Sequence, residues 1–311
     1  MDVENIILDC DPGHDDAIAL ILAVYSSKIN LLGVTTSAGN QKHSQTLRNA
    51  MSILTLMNEK TIPVASGNHT PLLRELISGV SMHGLTGLDG ADLPIPNFAV
   101  QSLTAIELIA KLVSESEKKV TLVVTGPCTN IALFLTVYPN LKNHIKQLVI
   151  FGGAMGTGNW CPTTEFNFQA DPEAAKIVMS SGLPIVLAPL NVGFEAQLLD
   201  KDKAKIHKVK NSVGKAVAGL IDFYGLSFNT HWDFKGLPLY DPCTIAWLID
   251  PSKFVSQKCN VEVETQGIFT TGESVIDYHH ITKRKPNANV LFHLDREWFA
   301  NLIFEAVNSF D

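Results

Sequence analysis

The sequence predicts an α/β fold: a mostly parallel, doubly wound central sheet with helices on both faces and a helical cap over the C-terminal strand ends, in one domain spanning 1–311. Three observations predict it. Short, solid apolar runs alternate with helix-length segments through the first two thirds of the chain, the pattern of strands buried on both faces. Polar residues gather just past the ends of those runs, at Asp9 and Asp11, Ser37 to Asn40, Thr125, and Gly152–Gly153. Open parallel sheets place their sites at those ends. No low-complexity linker or internal repeat divides the chain, which favours one domain over two.

The elements follow in order. NIILD (5–9) reads as a strand and DDAIALILAVYSS (15–27) as a helix; LLGVTTS (31–37) is a strand, followed by a helix over 42–58. IPVAS (62–66) is a short strand. SLTAIELIAKLVSE (102–115) has helical periodicity and leads into the strand VTLVVTG (120–126). CTNIALFLTVY forms a helix, QLVIFGG (147–153) a strand, PEAAKIVMSS (172–181) a helix and PIVLAPL (184–190) a strand. Two segments break the alternation. Residues 66–100, rich in Gly and Pro, read as an excursion over the strand ends, and 191–240, more helical and polar, as the cap.

Composition excludes several functions. A net charge of -7 leaves no basic excess to pair with nucleic-acid phosphates or an anionic membrane. The longest apolar stretch, AIALILAVY (17–25), is about half a membrane span. The five cysteines form no CxxC pair, so neither a disulfide framework nor a zinc spacing is indicated. The acidic start MDVENIILDCD does not read as a signal peptide. A reduced, cytoplasmic protein is expected.

The chemistry is concentrated in DCDPGHDDAIAL (9–20), where four aspartates fall in eight positions beside a buried strand. A helix cap and the helix dipole account for one or two of them, Asp15 or Asp16. They do not account for Asp9 and Asp11 on the strand side of the Pro12–Gly13 turn, because unpaired buried carboxylates repel and cost desolvation energy. A cation removes that repulsion. Hard oxygen donors with no neighbouring Cys or clustered His favour calcium or magnesium over zinc. Two loop classes remain: the D-x-D turn of a phosphatase whose first Asp is a nucleophile, or a metal site that activates water.

DCDPGHDDAIAL resembles the N-terminal signature of the calcium-dependent, inosine-uridine-preferring nucleoside hydrolases, and the resemblance covers essentially the whole chain. TTSAGN (35–40), HGLTGLDG (83–90), TGPCTNIAL (125–133), GNWCPTTEFNFQADPEAA (158–175) and LPLYDPCTIAW (237–247) are similar to further family segments in the right order. The resemblance implies hydrolysis of the N-glycosidic bond of ribonucleosides in purine or pyrimidine salvage. It implies Ca2+ held by Asp11, Asp16, Asp241 and the Thr125 carbonyl, with Asp11 also the general base toward water. Asp15 and Asn167 are expected on the ribose 2′- and 3′-hydroxyls, Asn159 and Glu165 on the 5′-hydroxyl, Asn40 facing the site, and Asp9 orienting its neighbours. Phe166 is placed with the substrate residues, although it and Phe168 also read as packing. A homodimer or homotetramer is implied as well, with a nucleoside as the small-molecule partner.

Two positions depart from the family pattern. Tyr240 stands where many members carry a His that protonates the leaving base, and Phe151 where relatives often have Met beneath it. A phenol is a weaker acid than imidazole, yet it still donates a hydrogen bond. His83 and Trp232 are the other candidates for base contact. The Tyr240 change keeps open a catalytically silent nucleoside-binding protein, and the strand-end aspartates keep open a metal-dependent phosphatase.

Overall fold

The run around NIILDC becomes the centre of the molecule. In a computed structural model that describes residues 3–230 and 234–311, this strand pairs on both sides with parallel neighbours. The first half of the sheet comprises β1 (Glu4–Cys10), α1 (His14–Tyr25), β2 (Ile29–Thr36), α2 (His43–Leu56) and β3 (Val64–Ser66). An excursion holding α3 (Val80–His83) returns through α4 (Ala105–Glu115) to β4 (Val120–Val124). Next come α5 (Thr129–Val137), β5 (Ile145–Phe151), α6 (Phe166–Ala170), α7 (Pro172–Met179) and β6 (Ile185–Ala188). A mainly helical stretch contains α8 (Leu190–Glu195), β7 (Gln197–Leu198), α9 (Asp200–Ile206), α10 (Ser212–Asn229) and β8 (Leu237–Pro238). The chain closes with α11 (Pro242–Ile249), β9 (Phe254–Cys259), β10 (Val261–Val263), β11 (Ser274–Ile276), β12 (Ala288–Leu294) and α12 (Arg296–Asn308).

The eight-stranded sheet has the order β3-β2-β1-β4-β5-β6-β12-β9, parallel throughout except for the β12–β9 pair. The chain winds outward from β1 to β3, then restarts at β4 on the other side of β1. That reversal makes a crevice at the C-terminal ends of β1 and β4, the place where such sheets bind ligands. Asp9 and Asp11 leave β1 there, and Thr125 leaves β4.

Burial on both faces explains the solid apolar runs. Ile6, Leu8 and Cys10 pack into one core with α1, α11 and α12, while Ile7 packs into the other with α4, α5 and α7. The expected helix at 102–115 begins only at Ala105, because Thr104 and Glu107 form a capping box, with the Thr104 N–H donating to Glu107 Oε2 at 2.8 Å. The helix expected over 42–58 stops at Leu56, two residues before Asn58 turns left-handed at φ 60°. Strand β9 escapes a reading based on apolar runs, since it is an edge strand whose middle residues face solvent.

The excursion and the cap meet over the crevice. Gly90 and Gly219 let them touch: a Cβ on Gly219 would fall 2.0 Å from the Gly90 carbonyl oxygen. Arg74 ties the start of the excursion to Glu173, and Asp171 accepts from Leu72 N at 2.9 Å while capping α7. Among the described residues no helix is long and apolar enough to cross a membrane, and all five cysteines are free thiols.

Candidate active site

The crevice contains a cavity of about 260 Å³, just below the usual range for small-molecule sites. Its floor is acidic. Oxygens of Asp15, Asp16 and Asp241 lie within 4.8 Å of one another, and all three residues are buried. Two come from the first turn of α1 and one from the start of α11. The capping explanation holds in part: Asp16 Oδ2 accepts the Gly13 N–H at 3.0 Å, closing the first turn. It fails for Asp241, which occupies the N-cap position of α11 while its side chain makes no capping hydrogen bond. Pro242 follows at the first helical position and brings no N–H of its own, so one fewer donor there needs a partner.

Asp11 lies beside this group. Its Oδ2 accepts from the Asn40 N–H at 2.6 Å, and its Oδ1 is buried with no partner among the described residues. Asn40 also donates from Nδ2 to Asp16 Oδ2 at 3.2 Å, so it steers two carboxylates besides facing the cavity. Thr125 gives its hydroxyl to Asp16 Oδ1 at 2.7 Å, and its carbonyl accepts from Asn167 Nδ2 at 2.7 Å. Beneath them Asp9 accepts from Thr35 Oγ1 at 2.5 Å and Asn130 Nδ2 at 2.8 Å, locking the ends of β1 and β2 and the start of α5 together.

Without a counter-charge these carboxyls resist ionisation. Burial, then the Asp16 charge, pushes Asp15 up to about 7 and holds Asp11 well above the usual carboxylate range. Burial and the charge of Asp15 do the same to Asp241. Burial raises Asp9 to about 7. A cation among these oxygens reverses that balance. The orphaned Asp11 Oδ1, the three converging carboxylates and an all-oxygen donor set fit a hard divalent ion. The Thr125 carbonyl keeps a lone pair beyond the one Asn167 uses.

One side of the cavity suits a sugar. Asn159, Glu165 and Asn167 line it beside Asp15 and Asp241. Glu165 caps α6, accepting from Asn167 N at 2.7 Å, Phe168 N at 3.1 Å and Gly153 N at 2.9 Å. Burial nevertheless lifts its carboxyl to about 7. Asn159 Oδ1 takes the Phe166 N–H at 2.9 Å. The two phenylalanines separate: Phe166 lines the cavity, whereas Phe168 is fully buried core.

The other side is aromatic. A run of rings goes from His83 to Tyr224 at 5.1 Å, Phe228 at 5.5 Å, Tyr240 at 6.0 Å and Phe151 at 5.3 Å, the last pair lying parallel. Tyr240 Oη is buried without a partner in this wall, and burial with the charges of Asp15, Glu165 and Asp241 drives its phenol well above 10, so it keeps its proton. His83 is 6% exposed, which removes it from the class of solvent-exposed loop histidines. Trp232, with His231, lies outside the described residues. Sequence reasoning missed Tyr224 and Phe228. Their i, i+4 spacing on α10 was visible, but such a stripe reads equally as core. It also missed Trp160, half-exposed at the cavity mouth and edge-on to Phe166 at 5.4 Å.

Residues 6–301 match the family described as inosine-uridine preferring nucleoside hydrolase. The chain is 50% identical over 306 residues to a pyrimidine-specific ribonucleoside hydrolase, RihA, of Shewanella woodyi, covering 98% of each chain. It is 50% identical over 300 residues to the protein of the same name from Escherichia coli, covering 96% of each. Its structure superposes with a TM-score of 0.91 on a purine-preferring ribonucleoside hydrolase from Gardnerella vaginalis, at 28% identity and 98% coverage of both. These matches set the phosphatase reading aside. With its strand-end carboxylates and ring-lined cavity, the chain belongs to the inosine-uridine preferring nucleoside hydrolase family and is a ribonucleoside hydrolase.

Proposed function

We propose that this chain hydrolyses pyrimidine ribonucleosides, uridine and cytidine, to ribose and free base, with Ca2+ held by Asp11, Asp16, Asp241 and the Thr125 carbonyl. The observation that carries the reading is the meeting, in one small cavity, of a carboxylate floor that needs a cation and an aromatic wall that suits a base. Pyrimidines are favoured because the relatives at 50% identity are named pyrimidine-specific and because the cavity is compact.

Held by Asp11, Asp16, Asp241 and the Thr125 carbonyl, the cation would neutralise the floor and supply Lewis-acid polarisation of a water. The chain's own groups do the rest. Asp11 Oδ1, unpartnered and buried, accepts a proton from the attacking water. Asp15 and Asn167 hold the 2′- and 3′-hydroxyls; Asn159 and Glu165 hold the 5′-hydroxyl. The water oxygen bonds to C1′ as the C1′–N bond breaks, through a cation-like sugar that the surrounding carboxylates favour. The electron pair leaves with the base. Tyr240 Oη–H and the His83 ring hydrogen-bond the departing base, with Tyr240 donating and retaining its proton as the stronger-held acid. Phe151 and Phe166 complete the contacts to base and sugar. The enzyme acts as a homodimer or homotetramer in cytoplasmic nucleoside salvage, as the family resemblance implies.

The test is ribose release from uridine, cytidine, inosine and adenosine, each with a calcium chelator and after Ca2+ is restored. Fast turnover of the two pyrimidine nucleosides, lost on chelation and regained with Ca2+, is expected. Chelator-resistant turnover would overturn the metal assignment, and a purine preference would overturn the substrate assignment.

A further inference from the structure

On the sugar side, the turn that leads into α6 sets an indole at the mouth of the cavity, where the reaction as described gives it no part. Trp160 is 44% exposed and lines the cavity beside Asn159, Glu165 and Phe166. Among the described residues its ring pairs with Phe166 alone, edge-on at 5.4 Å, so it stands apart from the run of rings on the base side.

Backbone contacts, and not the indole, hold this turn. The Thr164 carbonyl accepts both the Asn159 N–H at 3.1 Å and the Trp160 N–H at 3.2 Å, while Gly158 N donates to the Pro162 carbonyl at 2.9 Å. The strands of the turn approach so closely that a Cβ at residue 158 would fall 2.2 Å from the Thr164 oxygen and 2.3 Å from that of Cys161. Thr164 is fully buried, and its hydroxyl meets Cys161 Sγ at 2.6 Å. Asn159 Oδ1 is occupied by the Phe166 N–H, which leaves Nδ2 to offer the cavity. One pinned turn therefore delivers two neighbouring side chains to the same place: an amide that can bond a hydroxyl and, next to it, a broad ring.

We propose that Trp160 sets the size limit at the ribose 5′ position: its ring closes the cavity just beyond C5′, admitting a 5′-hydroxyl and excluding neutral 5′-O-alkyl groups. This inference rests on the reading given above, that Asn159 and Glu165 hold the 5′-hydroxyl. A ring backed by Phe166 and carried on a pinned backbone suits exclusion, because rejection of a larger ligand needs a clash that does not relax. Charge does not do this task. Asp15, Glu165 and Asp241 oppose an anionic 5′ group, and among the described residues no Lys or Arg lines the cavity, but none of this acts on a neutral one.

The test compares wild type, Trp160→Ala and Trp160→Leu at saturating Ca2+ on 5′-deoxyuridine and 5′-O-methyluridine, which both lack the hydroxyl hydrogen and differ in bulk. The wild type is expected to favour 5′-deoxyuridine over the methyl ether by about tenfold or more in kcat/KM. Trp160→Ala narrows that ratio by about tenfold, chiefly by raising the rate on the methyl ether, with Trp160→Leu in between. The Leu variant also serves if the Ala variant fails to fold. A gain on the larger substrate is a readout that a merely structural residue does not give, since a loosened fold lowers both rates together. A wild type that does not distinguish the two substrates overturns the proposal. Asn159→Ala, measured on uridine and 5′-deoxyuridine, checks the reading beneath it. A ratio unchanged in the Trp160 variants, beside an Asn159→Ala loss that is greater on uridine, overturns the size limit alone. Equal Asn159→Ala losses on uridine and 5′-deoxyuridine overturn the placement of the 5′-hydroxyl itself.

Discussion

The floor of the cavity and its wall are built on different principles. The floor comes from strand ends and helix starts, where backbone geometry alone carries Asp11, Asp15, Asp16 and Asp241 to one place. Its members repel one another and are held by donors from Asn40, Thr125 and Gly13. The wall comes from side-chain packing among α3, α10, β5 and the segment before α11, and its rings attract one another. In the function proposed above, the floor acts on the part common to all ribonucleosides and the wall on the part that differs. Substitutions in the floor are expected to slow every substrate alike, and those in the wall to reorder the bases.

The largest effect is expected at Asp11. Asp11→Asn keeps the acceptor for the Asn40 N–H and removes the proton acceptor at Oδ1, so kcat should fall by about 10²–10⁴-fold on uridine, cytidine and inosine in equal proportion. Steady-state rates at saturating Ca2+ check it. A loss confined to one base would break the division between floor and wall.

Asp241→Asn comes next and is read in stability. With no cation, burial and the neighbouring carboxylates oppose the charge that Asp241 carries in the unfolded chain, a cost of folding that an amide does not have, so the midpoint of the chelated protein at neutral pH should rise, by roughly 2–4 °C for each kcal/mol relieved. The added stability that Ca2+ gives the wild type, which follows its occupancy, should shrink or vanish. Differential scanning fluorimetry with and without Ca2+ measures both. A wild-type response to Ca2+ in this variant removes Asp241 from the metal set.

The same division explains what could be read in the sequence. The alternating runs and the strand-end polar residues were legible because a buried parallel sheet leaves a local signature. Asp11, Asp15 and Asp16 were legible because they share one turn. Asp241 was not legible by spacing, since Asp241–Pro242 is indistinguishable from an ordinary helix start until its side chain is seen to cap nothing; the family resemblance singled it out. The wall was the least legible. Tyr224 and Phe228 lie on a helix whose other apolar residues are core. Strand β9 went unread because an edge strand has no solid apolar run.

In the wall, Tyr240→Phe tests the free hydroxyl. Its Oη has no partner among the described residues, so the variant should fold with an unchanged midpoint. Losing one neutral hydrogen bond to the departing base should lower kcat on uridine by about 2- to 12-fold, as expected for 0.5–1.5 kcal/mol. The parallel stack on Phe151 is retained, so KM should hardly move. An unchanged kcat on all four nucleosides would remove Tyr240 from the reaction.

The smallest and most diagnostic effect is expected at Phe228. Its ring stands edge-on to Tyr224 at 5.5 Å and 90°, 6.0 Å from Tyr240, and lines the cavity. Phe228→Leu keeps an apolar side chain and removes the aromatic edge, worth about 0.5–1.5 kcal/mol. KM for uridine should rise a few-fold while kcat holds, because the residue touches the base equally before and during bond cleavage. The smaller side chain also widens a compact cavity, so inosine should gain relative to uridine. The ratio of kcat/KM for the two substrates measures that directly. A ratio equal to the wild type's would mean that α10 closes the cavity without selecting the base, and base selection would then fall to Phe151, Tyr240 and His83.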